Sequence, residues 1–148
     1  MSSTTTHSPA DILRYALIEL GVGTLPSDDD VWPICAINEP DLPDDCITVF
    51  DTLGLVDGRN MIDGSLAIHE GVQVHIRAAD NLVGRAKAAA VLNALAESIR
   101  LTNVTIGDNI YVLFAVTRIG GILPLGTEDG TSRVIFTINA VVSLRQTT

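Results

Sequence analysis

Val72-Gln73-Val74-His75-Ile76-Arg77-Ala78-Ala79-Asp80-Asn81-Leu82 changes its period part-way along, and that change sets the fold class. Val72, Val74 and Ile76 fall on one side of the chain and Gln73, His75 and Arg77 on the other, the alternation of a half-buried strand. After Ala78 and Ala79, Asp80 or Asn81 offers a side-chain oxygen to the free N–H groups of a helix start. Leu82, Ala86, Ala89, Ala90, Leu92, Asn93, Ala96 and Ile99 then recur at helical spacing, which predicts one long helix continuing to residue 101. Its alanines allow that face to lie close against a sheet. The unit over 72–101 carries no catalytic constellation, so it supplies an architecture rather than a chemistry.

Working outward, the whole chain of 148 residues suits one core, with residues 1–8 as a flexible tail and 9–148 as a single domain. It is 47% hydrophobic, only 18% charged, and has a mean hydropathy of +0.35, an apolar surplus for a water-exposed domain. No uncharged apolar run approaches the roughly 18–20 residues that span a bilayer. Burial against other subunits is then the outlet for the surplus. The polar N-terminus lacks the basic and apolar regions of a secretory signal, which predicts a protein that stays where it is made. Cys35 and Cys46 stand without the neighbours of a zinc site and read as reduced, buried small residues. The formal charge of −9 opposes a conventional nucleic-acid-binding surface, which needs clustered Lys and Arg.

Before the central unit, Ser8-Pro9-Ala10-Asp11 has the order of a helix start: cap, proline at the first position, acid at the positive end of the dipole. Ile12, Leu13, Ala16, Leu17 and Leu20 form its apolar stripe, and Gly21 or Gly23 its stop, predicting a helix over 9–20. Residues 21–45, rich in Gly, Pro and Asp, read as loop. Within them Asp28-Asp29-Asp30 lacks the glycine turn and distal glutamate of a calcium loop and reads as solvated, while Trp32 reads as a core anchor beside a short strand at Ile34. Cys46-Ile47-Thr48-Val49-Phe50-Asp51 is a strand by its β-branched and aromatic content. Residues 52–71 carry Gly54, Gly58, Gly64 and Gly71 and read as turns, with Asp51, Asp57 and Asp63 as turn formers and Leu66-Ala67-Ile68 as a further short strand.

Beyond the central unit, Ile110, Val112, Phe114 and Val116 alternate with Tyr111, Leu113, Ala115 and Thr117, apolar on both faces, as in a strand covered by helix on one side and another subunit or layer on the other. Val134, Phe136, Ile138, Ala140, Val142 and Leu144 alternate in a second long strand, predicted to pair antiparallel with the first. Between them, residues 120–130 read as a loop with an apolar middle, Ile122, Leu123 and Leu125, and an acidic end, Glu128 and Asp129, before Arg133. Mobile glycines beside exposed leucines point to a loop that a partner covers.

Catalytic signatures are missing. Gly21-Val22-Gly23 runs into Pro26 rather than a third glycine, there is no phosphate-binding GxxxxGK[ST], and no serine sits in a GxSxG elbow. Of His7, His69 and His75, His75 beside Arg77 is the one that suggests a small enzyme or ligand-binding site, with a surface histidine as the plainer reading. No cofactor or metal site is expected.

The order helix, Pro/Asp-rich loop, Ile47-Thr48-Val49-Phe50-Asp51-Thr52-Leu53-Gly54, then Val72-Gln73-Val74-His75-Ile76-Arg77 into a long helix resembles the minor capsid and tail terminator proteins of tailed bacteriophages. The ending is similar too: Leu125-Gly126-Thr127-Glu128-Asp129-Gly130-Thr131-Ser132-Arg133 before a long strand with Asn139. The resemblance runs over residues 10–144. With it, the expected fold is α+β, a mostly antiparallel sheet packed by an N-terminal helix and one long alanine-rich helix. It implies a structural virion protein of tail or neck, not an enzyme, assembled in the host cytoplasm. It further implies a homo-oligomeric ring, commonly a hexamer, on the head-proximal end of the tail tube. Its partners would be the tail tube protein and a head-completion, stopper or connector protein, with genomic DNA passing through the lumen unrecognised by sequence. The partner-contact candidates are Ile122, Leu123, Leu125, Glu128, Asp129 and Arg133. A head-completion or stopper protein of the same neck is the alternative in the same class.

Overall fold

The computed structural model describes residues 5–26, 31–59 and 66–147, with backbone alone over 54–59, 66–68 and 147. Helix α1, Pro9–Glu19, starts as its sequence dictates: Ser8 Oγ accepts from the Asp11 N–H, and Asp51 Oδ1 accepts from the Ala10 N–H, placing a carboxylate at the positive end of the dipole. It stops in a Schellman arrangement. Gly21 takes φ +77°, and the N–H groups of Gly21 and Val22 return to the carbonyls of Ile18 and Leu17.

Six strands follow one order across the sheet, β1-β2-β3-β6-β5-β4. They are β1 (Ile34–Ala36), β2 (Cys46–Arg59), β3 (Leu66–Ala78), β4 (Arg100–Ile106), β5 (Asn109–Thr127) and β6 (Val134–Thr147). The β1–β2 pair is parallel and the other pairs are antiparallel, so the α+β reading holds with a mixed sheet. Helix α1 touches β1 and β2 at one end of the order and β4 at the other. A sheet must curl to bring those strands to one helix. Helix α2, Asn81–Asn93, capped by Asp80, lies on β6 and β3. Together the helices bury one sheet face, including Val49, Val72, Val74, Ile76, Ile138 and Val142.

Four expectations change. The long helix does not reach residue 101: α2 passes into a π-helical turn, Ala94–Ser98, and Arg100 opens β4. That strand has its own signal in Thr102, Val104, Thr105 and Ile106 before a two-residue turn, where Gly107 takes φ +60° at the position a type II′ hairpin reserves for glycine. The inward face of α2 is also rotated from the predicted stripe. Gly84, Ala88, Val91, Leu92 and Leu95 are buried, whereas Leu82 is 77% exposed, and Ala86, Ala90, Asn93 and Ala96 face out. The close approach at Gly84 decides it, since a Cβ there would stand 2.9 Å from Phe136 Cε2. Third, residues 52–59 and 69–71 are strand rather than turns, extending β2 and β3 through two register shifts, so that the expected short strand Leu66-Ala67-Ile68 is the start of β3. Fourth, 120–127 is not a loop but the far end of β5, paired to β6 through bulges that skip 120–122 and 125. Asp28, Asp29, Asp30 and Asp63 lie outside the described residues, as does the side chain of Asp57.

Trp32 is half-buried against the core, as its anchor reading expects, with Lys87 Nζ 5.2 Å over its ring. Cys35 and Cys46 are free thiols, and burial pushes the Cys46 thiol up to about 11.

Candidate functional site

Two regions hold the residues the sequence singles out. The first is the outer end of the β5–β6 hairpin. Beyond Ala115, β5 has no pairing with β4, so over 116–127 its only strand partner among the described residues is β6. The apolar side chains there divide. Ile122, inside the bulge, packs back against the core, while Ile119, Leu123 and Leu125 are 59%, 53% and 52% exposed. Lower on the same strand, Tyr111 and Leu113 are buried, and Ile110 and Phe114 face outward, so the strand is apolar on both sides as its alternation predicts.

Past Thr127 the chain turns over 128–133, and the acidic end of the predicted loop is tied down. Glu128 Oε2 lies 2.6 Å from both Arg133 Nε and Arg133 Nη2. Partial desolvation raises the Glu128 pKa, but hydrogen bonds from Arg133 and Thr131 outweigh it and hold the carboxyl below its ordinary range. Arg133 reaches further, to the carbonyl of Asp41 and to Asp44 Oδ1 at 3.4 Å. Thus Glu128 and Arg133 are committed to internal structure, whereas Leu123, Leu125 and Asp129 stay on the surface.

The second region is the sheet face opposite the helices. Residues 37–45 run over it as a strap. Arg77, 2% exposed, donates to the carbonyls of Asp44, Asp41 and Pro43 at 3.2, 3.2 and 2.8 Å, and its Nη1 is 4.0 Å from Glu39 Oε2. Two arginines, Arg77 on β3 and Arg133 at the end of the turn before β6, therefore hold one strap, with the carbonyl of Asp41 accepting from both. Sequence reasoning set Arg77 beside His75 as a possible reactive pair, but the guanidinium is engaged in holding backbone. His75 lies half-buried against Phe50, and Gln73 Oε1 faces its Nε2 at 2.9 Å. Burial lowers the pKa of His75, against the opposing pull of the Glu39 charge, so its ring is neutral at pH 7. Two other histidines also have partners: His69 meets Ser143 Oγ at 2.7 Å, and the backbone N–H of His7 donates to Tyr111 Oη at 3.1 Å.

Among the described residues, no three His, Cys, Asp or Glu side chains are grouped to hold a metal ion, and no helix is long and apolar enough to cross a membrane. Exposed apolar side chains thus sit on a stretch of β5 that, among the described residues, is paired on one side only, while the buried arginine charge holds the strap. A family model for the bacteriophage tail terminator protein matches residues 16–146, from within α1 to the end of β6. The chain belongs to the bacteriophage tail terminator family. It is a structural component of the phage tail, in a family whose members work in contact with other phage proteins. No curated protein matches the chain. Within this family member, the match spans both the β5 edge and the strapped face.

Proposed function

We propose that this chain closes into a ring, a hexamer by its family resemblance, on the head-proximal end of the tail tube, where it ends tube polymerisation and joins the tail to the head connector. The observation that carries the reading is the set of exposed apolar side chains Ile119, Leu123 and Leu125 along a stretch of β5 that, among the described residues, no second strand pairs. Side chains of that kind in a water-facing position call for a protein partner. Growth stops in such an arrangement when the ring binds the tube through one face and presents another that is not self-complementary. The formal charge of −9 suits a lumen through which DNA slides, because like charge limits sticking. Leu123, Leu125 and Asp129 are the contact residues of this reading, with Ile122, Glu128 and Arg133 shaping the hairpin that presents them.

Electron microscopy of tail tubes grown with the purified protein tests it. The expected image is one ring at one tube end with elongation halted. A monomer in both native mass measurement and the assembled particle overturns the ring. A ring found only on the portal side moves the chain to the head-completion role.

A further inference from the structure

A formal charge of −9 makes copies of this chain repel one another overall, so their assembly needs local surfaces of opposite sign. The positive one lies toward the end of β6, on the sheet face away from the helices. Register sets Arg100, Ala115 and Ser143 in one row across β4, β5 and β6, and Asn103, Val112 and Arg145 in the next. Ser143 and Arg145 alternate with Val142 and Leu144, which pack into the core, so both rows face outward. The bulge between Leu113 and Ala115 turns Phe114 to the same side, where it is 38% exposed and the Arg145 guanidinium stands 5.7 Å over its ring. Arg100 and Arg145 are exposed, and among the described residues neither has a carboxylate within ion-pair distance. Exposed apolar side chains beside arginines have the composition of a protein contact. Two arginines are too few to hold DNA, whose binding needs many phosphate contacts.

The negative surface lies at the other end of β6. Arg133 carries one charge against Glu128, Asp41 and Asp44, and Arg77 one against Glu39, so the strap and the turn before β6 keep a negative excess. Asp45 and Asp129 add to it. The side chains of Asp41 and Asp44 are 95% and 53% exposed, and Asp129 is exposed as well, so the excess faces water. Leu42, 73% exposed beside Asp41, places an apolar side chain among these carboxylates. Twelve residues of β6 separate Arg133 from Arg145, roughly 40 Å along the strand at about 3.4 Å per residue, many screening lengths apart. Each copy therefore offers both signs at places that cannot neutralise one another, an arrangement that lets unlike surfaces of successive copies join.

We propose that the surface of Phe114, Arg100 and Arg145 on one copy docks on the acidic strap and turn of the next, Asp41, Asp44 and Asp129, a contact that rests on the assembly of copies proposed above. Stacking on Phe114 leaves the N–H donors of Arg145 free to bind a carboxylate. Phe114 and the half-buried Val112 meet Leu42 at the centre, with the charges around them.

Charge reversal read by native mass measurement, with and without tail tubes, tests this. Arg100→Glu with Arg145→Glu makes one surface acidic, and Asp41→Lys with Asp129→Lys makes the other basic. All four positions are exposed, so urea midpoints should stay near wild type. Each variant alone should assemble at least about tenfold more weakly than wild type, because like charges then face each other. An equal mixture of the two should recover the assembly with the variants in equal numbers, since every contact then pairs opposite signs. Where a reversed pair perturbs the fold, the neutral changes Arg145→Gln and Asp129→Asn take its place, each expected to weaken assembly about threefold. Undiminished assembly of the Arg100→Glu, Arg145→Glu variant, or a mixture of folded variants that stays apart, overturns the proposal. A variant that assembles normally but no longer caps tubes, or no longer retains DNA, overturns it too and assigns the surface to that partner. A charge-dependent dimer supports the contact and removes the ring. A wild-type chain that is monomeric in both settings removes ring and contact together, whereas a ring that both variants form unchanged removes only the contact.

Discussion

The two faces of the β2–β3–β6 sheet are built from the same strands and held by different physics. Toward the helices, Val74, Ile76 and Ile138 are fully buried among other apolar side chains, and stability there comes from area removed from water and from close packing. Away from the helices, the alternate residues of the same strands are Thr48, His75, Arg77 and Thr137, closed over by a strap whose large apolar side chains, Ile37 and Leu42, stay exposed. Charge and backbone carbonyls substitute for a second hydrophobic layer. The difference teaches that burial alone does not mark the core in this protein: Arg77 is as enclosed as its apolar neighbours.

If the comparison is right, the helical face should break hardest. Ile138→Ala removes a fully buried side chain facing α2 and should cost about 3–4 kcal/mol in urea unfolding, with the m-value unchanged. Arg77→Leu tests the strapped face. It strips three carbonyls of their donor and Glu39 of its ion-pair partner and should cost about 3 kcal/mol, with faster exchange confined to 37–45 at low denaturant. Equal exchange acceleration throughout the sheet would mean that the two faces are one cooperative unit rather than two.

A smaller effect comes from pH. Burial depresses the His75 pKa below its ordinary value of 6.5, so the unfolded chain takes up a proton that the folded chain refuses. The resulting stability is present above pH 6.5 and is lost as pH falls through the folded pKa, while the Glu39 charge opposes the shift. His75→Gln should flatten that part of the stability profile, measured by urea midpoints between pH 7 and 5. The smallest effect on the fold is expected at the β5 edge. Leu123→Ser with Leu125→Ser should change unfolding free energy by no more than about 0.5 kcal/mol per site, because both side chains are half in water already. The same double variant should weaken capping of tail tubes in a tube-length assay. A large loss of stability instead would make this edge part of the fold rather than a contact surface.

Local rules carried the reading where the deciding atoms are neighbours in the chain. Ser8, Pro9 and Gly21 place α1 because capping partners lie within a turn of one another. Strict alternation at 72–77, 110–117 and 134–144 identified three strands, since side-chain period is a property of the backbone itself. The family resemblance rested on that same order of elements.

Other features needed the folded chain. Alanine fits either side of a helix, so the alanines of α2 could not orient it, and the contact of Gly84 with Phe136, far apart in sequence, did. Residues 120–127 carry the glycines and proline of a loop, yet their backbone finds β6, because strand pairing rewards hydrogen bonds with a partner that no local pattern names. Arg77 and Arg133 announced charge in the sequence, but on the strap most of the atoms that accept hydrogen bonds from them are main-chain carbonyls, which every residue has, so the strap left no signature of its own. The sequence by itself determined which segments are helix, strand and turn wherever neighbours within a few residues settle the matter. Tertiary structure alone decided which helix face is buried, where β5 ends and what the arginines hold, because those outcomes depend on contacts between residues that only folding brings together.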